Sequence, residues 1–299
     1  MHAEEIIPLE FIYDKPPPAD DAKLCAGAEE SLKKGICQNC AALETSSRPI
    51  CPLGFWGISK VIERHLYNSD ESNLLAKEGA VAKIAFEPHS KGRDLLRHGR
   101  SLFASSSNVF EEDRKSVIDT LQRYWADEVA VVEEWEQWGD TIKKQAPSLI
   151  LMLPHNTGAK ATIGLEISND RQMTLHIAER FKKAYKKSTH GKLPIPPILC
   201  LIGCDTAGTA ESYAKHVTAF RRADAPLVLT TIATVFGKHA ARVSESLVCE
   251  LMTNAEAAPP QRFGEVLRSV KRKALLDSLP MALCLAAFGD ADWILVKEP

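Results

Sequence analysis

The sequence predicts an α/β fold: a mainly parallel sheet flanked by helices, with a small N-terminal cysteine-containing cap. Three observations lead there. Short apolar runs bounded by Pro and Gly, such as Pro197-Ile198-Leu199-Cys200-Leu201-Ile202-Gly203, have the length and composition of buried strands. Amphipathic stretches of helical spacing separate them, so strand and helix alternate from about residue 81 onward. At 299 residues, 45% of them hydrophobic and 25% charged, the chain carries enough apolar material for an ample core.

Several function classes drop out on composition. A net charge of −2 gives no argument for a nucleic-acid or anionic-membrane partner. No run approaches the ~18 apolar residues of a membrane span, and the Glu-rich start does not read as a signal peptide. Eight cysteines without such a signal imply a reducing compartment, with the cytoplasm as the expected location and thiols or metal ligands in place of disulfides. A Rossmann- or flavodoxin-type binder is disfavoured, because no Gly-x-Gly-x-x-Gly follows any predicted strand.

In chain order, residues 5 to 13 read as a short strand that Pro8 demotes to an edge. Pro16-Pro17-Pro18 mark a linker, and Asp20-Asp21 then caps a helix predicted to reach Lys34 and stop at Gly35. Cys25, Cys37-Gln38-Asn39-Cys40 and Cys51 follow as a group. A C-x-x-C turn offers two thiolates to one ion, and tetrahedral zinc needs four ligands. Cys37, Cys40 and Cys51 supply three, with Cys25 as the natural fourth although it falls inside the predicted helix, and His65 as its rival. Reduced, unligated cysteines are the alternative, since the second pair of a double C-x-x-C is missing. Residues 59 to 66 read as a helix, and the polar stretch 67 to 78 as a linker. The predicted division is therefore a cap at 1–78 and a larger domain at 79–299.

In the larger domain, Val81 to Phe86 reads as a strand, Arg93 to Leu102 as a helix and Ser105 to Asn108 as a turn. A helix from Glu111 to Trp125 buries Val117, Ile118, Leu121 and Trp125, and Glu128 to Val132 reads as a strand. Helix 134–144 carries Trp135 and Trp138, strand 148–153 follows, and 162–167 is hairpin-like. A basic helix tail ends near Lys187, and 188–197 is loop. Beyond it come strand 197–202, helix 210–222, strand 227–232, a long amphipathic helix from Val235, helix 262–279, and strands at 281–289 and 293–296.

Two strand ends carry the chemistry. The run ending at Gly203 leads into Cys204-Asp205-Thr206-Ala207-Gly208, so a thiol stands where strand becomes turn and a helix follows. Open α/β sheets bind ligands at such carboxyl ends, and helix N-termini favour the thiolate. Ser148-Leu149-Ile150-Leu151-Met152-Leu153-Pro154-His155 has the same form and ends on an imidazole. If the two strands are parallel neighbours, His155 stands beside Cys204 as base beside nucleophile. Their separation, 204 − 155 = 49, matches the roughly 50-residue His-to-Cys spacing of caspases. His190-Gly191 is a competing base, but no apolar strand precedes it. His176, His216 and His239 fall on predicted helices and read as surface or satisfied core histidines.

Strand-His-turn, strand-Gly-Cys-x-x-x-Gly, the strand from Asp224 to Ile232 and the closing Ala286-Ala287-Phe288-Gly289-Asp290 resemble the CHAT domain, a caspase-like cysteine peptidase domain. Gly-Cys followed by small residues is also similar to the nucleophile loop of separase, in the same wider clan. The resemblance covers roughly residues 81 to 295. It implies a caspase-like sheet and a cysteine endopeptidase that needs no cofactor, acts on a protein or peptide substrate, and works in regulated defence or signalling. The oxyanion would be held by backbone N–H groups around Gly203-Cys204 and the Asn156-to-Gly158 turn. Where the family has Gly directly after the His, this chain has Asn156, with Gly158 two positions later. The family also implies cleavage after a basic residue, for which Asp205, Glu166 and Asp170 are the candidate pocket carboxylates. Asp205 has the alternative role of capping the following helix. CHAT domains often follow tetratricopeptide repeats, so an upstream repeat domain or regulatory partner is expected. A degenerate, non-catalytic CHAT-like interaction module is the rival reading, and Asn156 is its support.

Overall fold

The computed structural model describes residues 8–18, 20–39, 49–64, 94–125, 128–157, 164–187, 197–203, 210–223, 225–233, 235–257 and 259–297. The strands are β1 (Asp94–His98), β2 (Ser101–Ser105), β3 (Val129–Val132), β4 (Leu149–Leu153), β5 (His155–Thr157) and β6 (Gly164–Ile167). They continue with β7 (Asp170–Met173), β8 (Ile198–Leu201), β9 (Leu227–Thr231), β10 (Leu285–Gly289) and β11 (Ile294–Lys297). The helices are α1 (Ala28–Lys34), α2 (Trp56–Ser59), α3 (Glu111–Tyr124), α4 (Trp135–Gln145), α5 (Thr174–Lys187), α6 (Ala210–Arg222), α7 (Gly237–Ala255) and α8 (Phe263–Leu276).

The central sheet has six strands in the order β10-β9-β8-β4-β2-β3. All pair in parallel except β10, which runs antiparallel to β9. This is the mainly parallel, helix-flanked α/β architecture that the alternating pattern predicts. Alternate residues of each strand feed two separate cores, as the two-residue side-chain period requires. Leu149, Leu151 and Leu153 join Cys200, Ile202 and Leu229 under α3, α7 and α8. Ile150 and Met152 join Leu199, Leu201 and Val228 under α4, α5 and α6. Strands buried on both faces read as continuous apolar runs, which is why β4, β8 and β9 are legible in sequence.

The chain reverses its direction of travel across the sheet between β2 and β4, the point at which open sheets present a crevice at their carboxyl ends. Here the protein fills that crevice itself. Antiparallel β5-β6-β7 rises from the end of β4, and its turn is stapled to the end of β2. Ser168 N–H donates to Ser105 O at 2.6 Å, Ser107 N–H to Ser168 O at 3.0 Å, and Ser107 Oγ to Asn169 Oδ1 at 2.9 Å.

Four local expectations are corrected. The helix expected at 93–102 is the pair β1 and β2; β2 is buried throughout between β3 and β4, and tertiary pairing outweighs its short apolar pattern. Residues Leu9–Phe11 form a 3-10 turn in place of an edge strand, because Pro8 cannot donate to a ladder. The helix expected at 59–66 is only α2; beyond Ser59 the backbone extends, and Arg64 bridges Gly289. The helix expected from Asp20 begins only at Ala28, because the backbone at Lys23 and Cys25 is committed to Ile50 through bonds of 2.9 and 3.0 Å. Gly35 does end it, in the left-handed conformation at φ 72° that suits glycine. The strand expected at 81–86 lies outside the described residues.

The described part of the cap docks on α8 and on β10. Arg272 Nε donates to Ile58 O at 3.0 Å, Ala291 N–H to Glu63 Oε2 at 2.8 Å, and Gly289 N–H to Arg64 O at 2.8 Å. Beneath this seam Arg64 grips Glu10 through two bonds of 2.6 Å, with Glu10 1% exposed and Lys271 Nζ 3.9 Å away. Burial pushes the Lys271 amine down to about 8, against the pull of Glu10.

Candidate active site and cysteine cluster

Strands β4 and β8 are parallel neighbours, as the two-strand argument requires. Their register runs Leu149↔Ile198, Ile150↔Leu199, Leu151↔Cys200 and Met152↔Leu201, and Ile202 N–H continues it to Met152 O at 2.9 Å. Three residues beyond Met152 comes His155; two beyond Leu201 comes buried Gly203, with Cys204 next in sequence. Cys204, Asp205, Gly158 and the rival base His190 lie outside the described residues.

His155 opens β5 and is half-buried; its Nδ1 is enclosed and has no hydrogen-bond partner among the described residues. Directly across the antiparallel pair stands Glu166, and across from that Arg171. Side chains so opposed share one face of the small sheet at Cβ separations of about 5 Å. Among the described residues nothing donates to the Glu166 carboxylate. Asp170 is differently placed: its Oδ2 accepts the Trp135 N–H at 2.7 Å, and its carbonyl accepts Trp135 Nε1–H at 3.0 Å. A carboxylate at that point satisfies the start of α4 and complements its dipole.

Asn156 points its amide at α6. His216 Nε2 lies 3.3 Å from Asn156 Oδ1, and His216 Nδ1 lies 2.7 Å from Thr174 Oγ1. His216 is 2% exposed, and burial pulls its imidazole down to about 4. It is the satisfied core histidine that its helical position suggests. Its partners lie 60 and 42 residues away, so no sequence signal reveals them. Cys200, one strand residue before the turn, is fully enclosed, and burial raises its thiol pKa. It is an inert core thiol.

An open groove of about 510 Å³ lies between the segments that leave β2 and β9, lined by Asn108, Phe110, Phe236, Lys238 and His239. Phe110 and Phe236 are 66% and 65% exposed there, although large apolar side chains ordinarily turn inward.

The cysteine cluster lies in the cap. The Sγ atoms of Cys25, Cys37 and Cys51 are all within 4.8 Å of one another, and Cys25 and Cys37 approach to 3.8 Å. Three thiolates on a tetrahedral zinc at 2.3 Å would sit about 3.8 Å apart, so the set fits such an ion. Local structure makes the convergence. Gly35 turns the chain back after α1 to bring Cys37 round, and the Leu24↔Ile50 bridge sets Cys25 beside Cys51. Because α1 starts late, Cys25 lies outside it and can reach the cluster. Cys40 and His65 lie outside the described residues. Leu32, Leu53 and Ile58 pack around Cys51, with Leu275, Leu276 and Leu283 against them.

No protein-family model matches the sequence, and no curated protein does. Among solved structures the chain is similar to the crystal structure of the Arg-specific cysteine proteinase gingipain R. The TM-score is 0.44 and the identity 14%, over 73% of this chain and 52% of that one. The chain thus spans about half the length of that proteinase. No helix among the described residues is long and apolar enough to cross a membrane.

Proposed function

We propose that this chain is a caspase-like cysteine endopeptidase of the CHAT type, with Cys204 as nucleophile and His155 as base. The observation that carries the reading is the β4/β8 register, which brings the ends of the two predicted strands to one sheet edge. Cys204 attacks the scissile carbonyl as thiolate, forming the thioester as the peptide C–N bond breaks. His155 accepts the thiol proton and delivers it to the leaving amine; water then releases the acyl group. Backbone N–H groups of Cys204 and of the Asn156-to-Gly158 turn, with Gly203 permitting close approach, hold the oxyanion.

The chain divides at about residue 78 into cap and catalytic domain. The cap holds one structural zinc through Cys25, Cys37, Cys40 and Cys51; bound there, zinc cross-links the cap and takes no part in the chemistry. The substrate is a protein cut after a basic residue. Of the three carboxylates considered, Glu166 and Asp205 serve the basic side chain best, since Asp170 is engaged by Trp135. The exposed Phe110–Phe236 groove takes an apolar side chain of the same substrate. The setting is cytoplasmic and regulated, with an upstream repeat domain or partner as the switch.

A fluorogenic peptide panel tests the reading, comparing wild-type protein with Cys204→Ala. Cleavage after Arg or Lys that vanishes in the variant supports it. Wild-type protein cutting nothing in the panel would leave the interaction-module reading in its place.

A further inference from the structure

We propose that His216 is a positioning residue for the active site, tying the strand that carries the base to the helix that follows the nucleophile. This rests on the assignment of His155 and Cys204 as the dyad. Three elements meet at one imidazole. His216 lies in α6, which begins at Ala210 just after the nucleophile segment. Its Nε2 reaches Asn156, the residue after the base, and its Nδ1 reaches Thr174, the first residue of α5. His216 and Thr174 are 2% and 3% exposed, so water does not compete for the bond between them, and the bond to Asn156 is partly buried.

The donor pattern fixes the chemistry. An amide oxygen only accepts, so Nε2 carries the proton and donates to Asn156 Oδ1. Nδ1 of the neutral ring is then an acceptor, and the Thr174 hydroxyl donates to it. This assignment uses both ring nitrogens and leaves the imidazole neutral, in keeping with its burial. It also gives Asn156 a task that glycine could not perform. At the position directly after the base, the amide anchors β5 laterally to α6, so a residue that departs from the CHAT pattern becomes part of the site's support. His216 touches no reacting atom; it acts through Asn156 on the orientation of His155.

The test combines kinetics with nitrogen-resolved NMR on the full chain. His216→Phe fills the space without either bond, and His216→Gln restores a donor toward Asn156. The expected result is a ~10- to 100-fold fall in kcat for His216→Phe with KM held within ~2-fold, and substantial recovery in His216→Gln. In wild-type protein, His216 should show the Nε2–H tautomer, and the His155 ring resonances should shift in His216→Phe. If His216→Phe fails to fold, Thr174→Val reads the same coupling, with a ~3- to 10-fold fall in kcat. A folded variant with unchanged kcat and unmoved His155 resonances overturns the proposal, as does an effect confined to KM. Wild-type protein without cleavage, in which His216→Phe still shifts His155, refutes the dyad and retains His216 as the anchor of that strand.

Discussion

In the cap, three sulfur atoms from residues 25, 37 and 51 converge within 4.8 Å, whereas at the sheet edge the backbone register of β4 and β8 sets side by side the two strands that lead to His155 and Gly203. The cap's chemistry is local. It depends on one glycine turn, one bridge and a few dozen residues of chain. The edge depends on a sheet with two complete cores behind it. The first kind of site can be lost by one local change, while the second keeps its frame and loses only its reacting group.

The largest effect that would break this contrast is at the edge. Cys204→Ala and His155→Ala should each lower cleavage by at least ~10³-fold, with the double variant no worse than either single. Thermal stability should stay near wild type; a large drop in Tm would make the edge as local a structure as the cap. Next comes the cap itself. Protein purified without chelator should contain about one equivalent of zinc, and Cys51→Ser should abolish it. Amide protection should then vanish from residues 8–64 while kcat stays within ~3-fold. Metal content below ~0.2 equivalents would leave the thiols as a reduced, unligated cluster.

A third measurement sharpens the account of the edge. The His216 value of about 4 lies below the ordinary histidine value near 6.5, and burial alone accounts for it. The unfolded chain therefore binds the proton first. Stability is fully expressed above about pH 6.5 and is lost as pH falls toward 4, by about 3 kcal/mol at most. Denaturant titrations at pH 4.5 and 7 should show that slope flattened in His216→Phe; an unchanged slope would place the acid sensitivity elsewhere. The smallest effect is on specificity. Glu166→Gln should reduce the preference for Arg over Leu by ~10-fold with kcat for the best substrate little changed. An unaltered ratio would assign the basic pocket to Asp205.

The sequence makes the two regions legible for different reasons. Strands β4, β8 and β9 stand out because burial on both faces leaves no polar interruption, and the helices α3, α4, α6, α7 and α8 because each keeps one apolar stripe. β2 is hidden, although it lies beside the strand leading to His155. Its Ser101-Leu102-Phe103-Ala104-Ser105 is short, and its serines resemble a loop until neighbours pair on both sides. The cysteine cluster is visible as a group because C-x-x-C spacing is a local signal. Yet the participation of Cys25 turns on where α1 starts, which backbone bonds to Ile50 decide. The Asn156–His216–Thr174 link and the Glu10–Arg64 pair join residues far apart in sequence, and no periodicity encodes either.

The docking seam sets an order of events during synthesis. Glu10 and Arg64 can find each other as soon as both have emerged, and the three thiols can converge on residues 25–51 alone. The partners of Ile58, Glu63 and Arg64 across the seam are Arg272, Ala291 and Gly289, separated from them by more than two hundred residues. A unit of this kind that forms early must wait for more than two hundred further residues before its apolar underside is covered. An ion held by Cys25, Cys37 and Cys51 would keep the unit together through that interval. Pulse labelling of nascent chains should find the cap structured but undocked until α8 and β10 have left the ribosome.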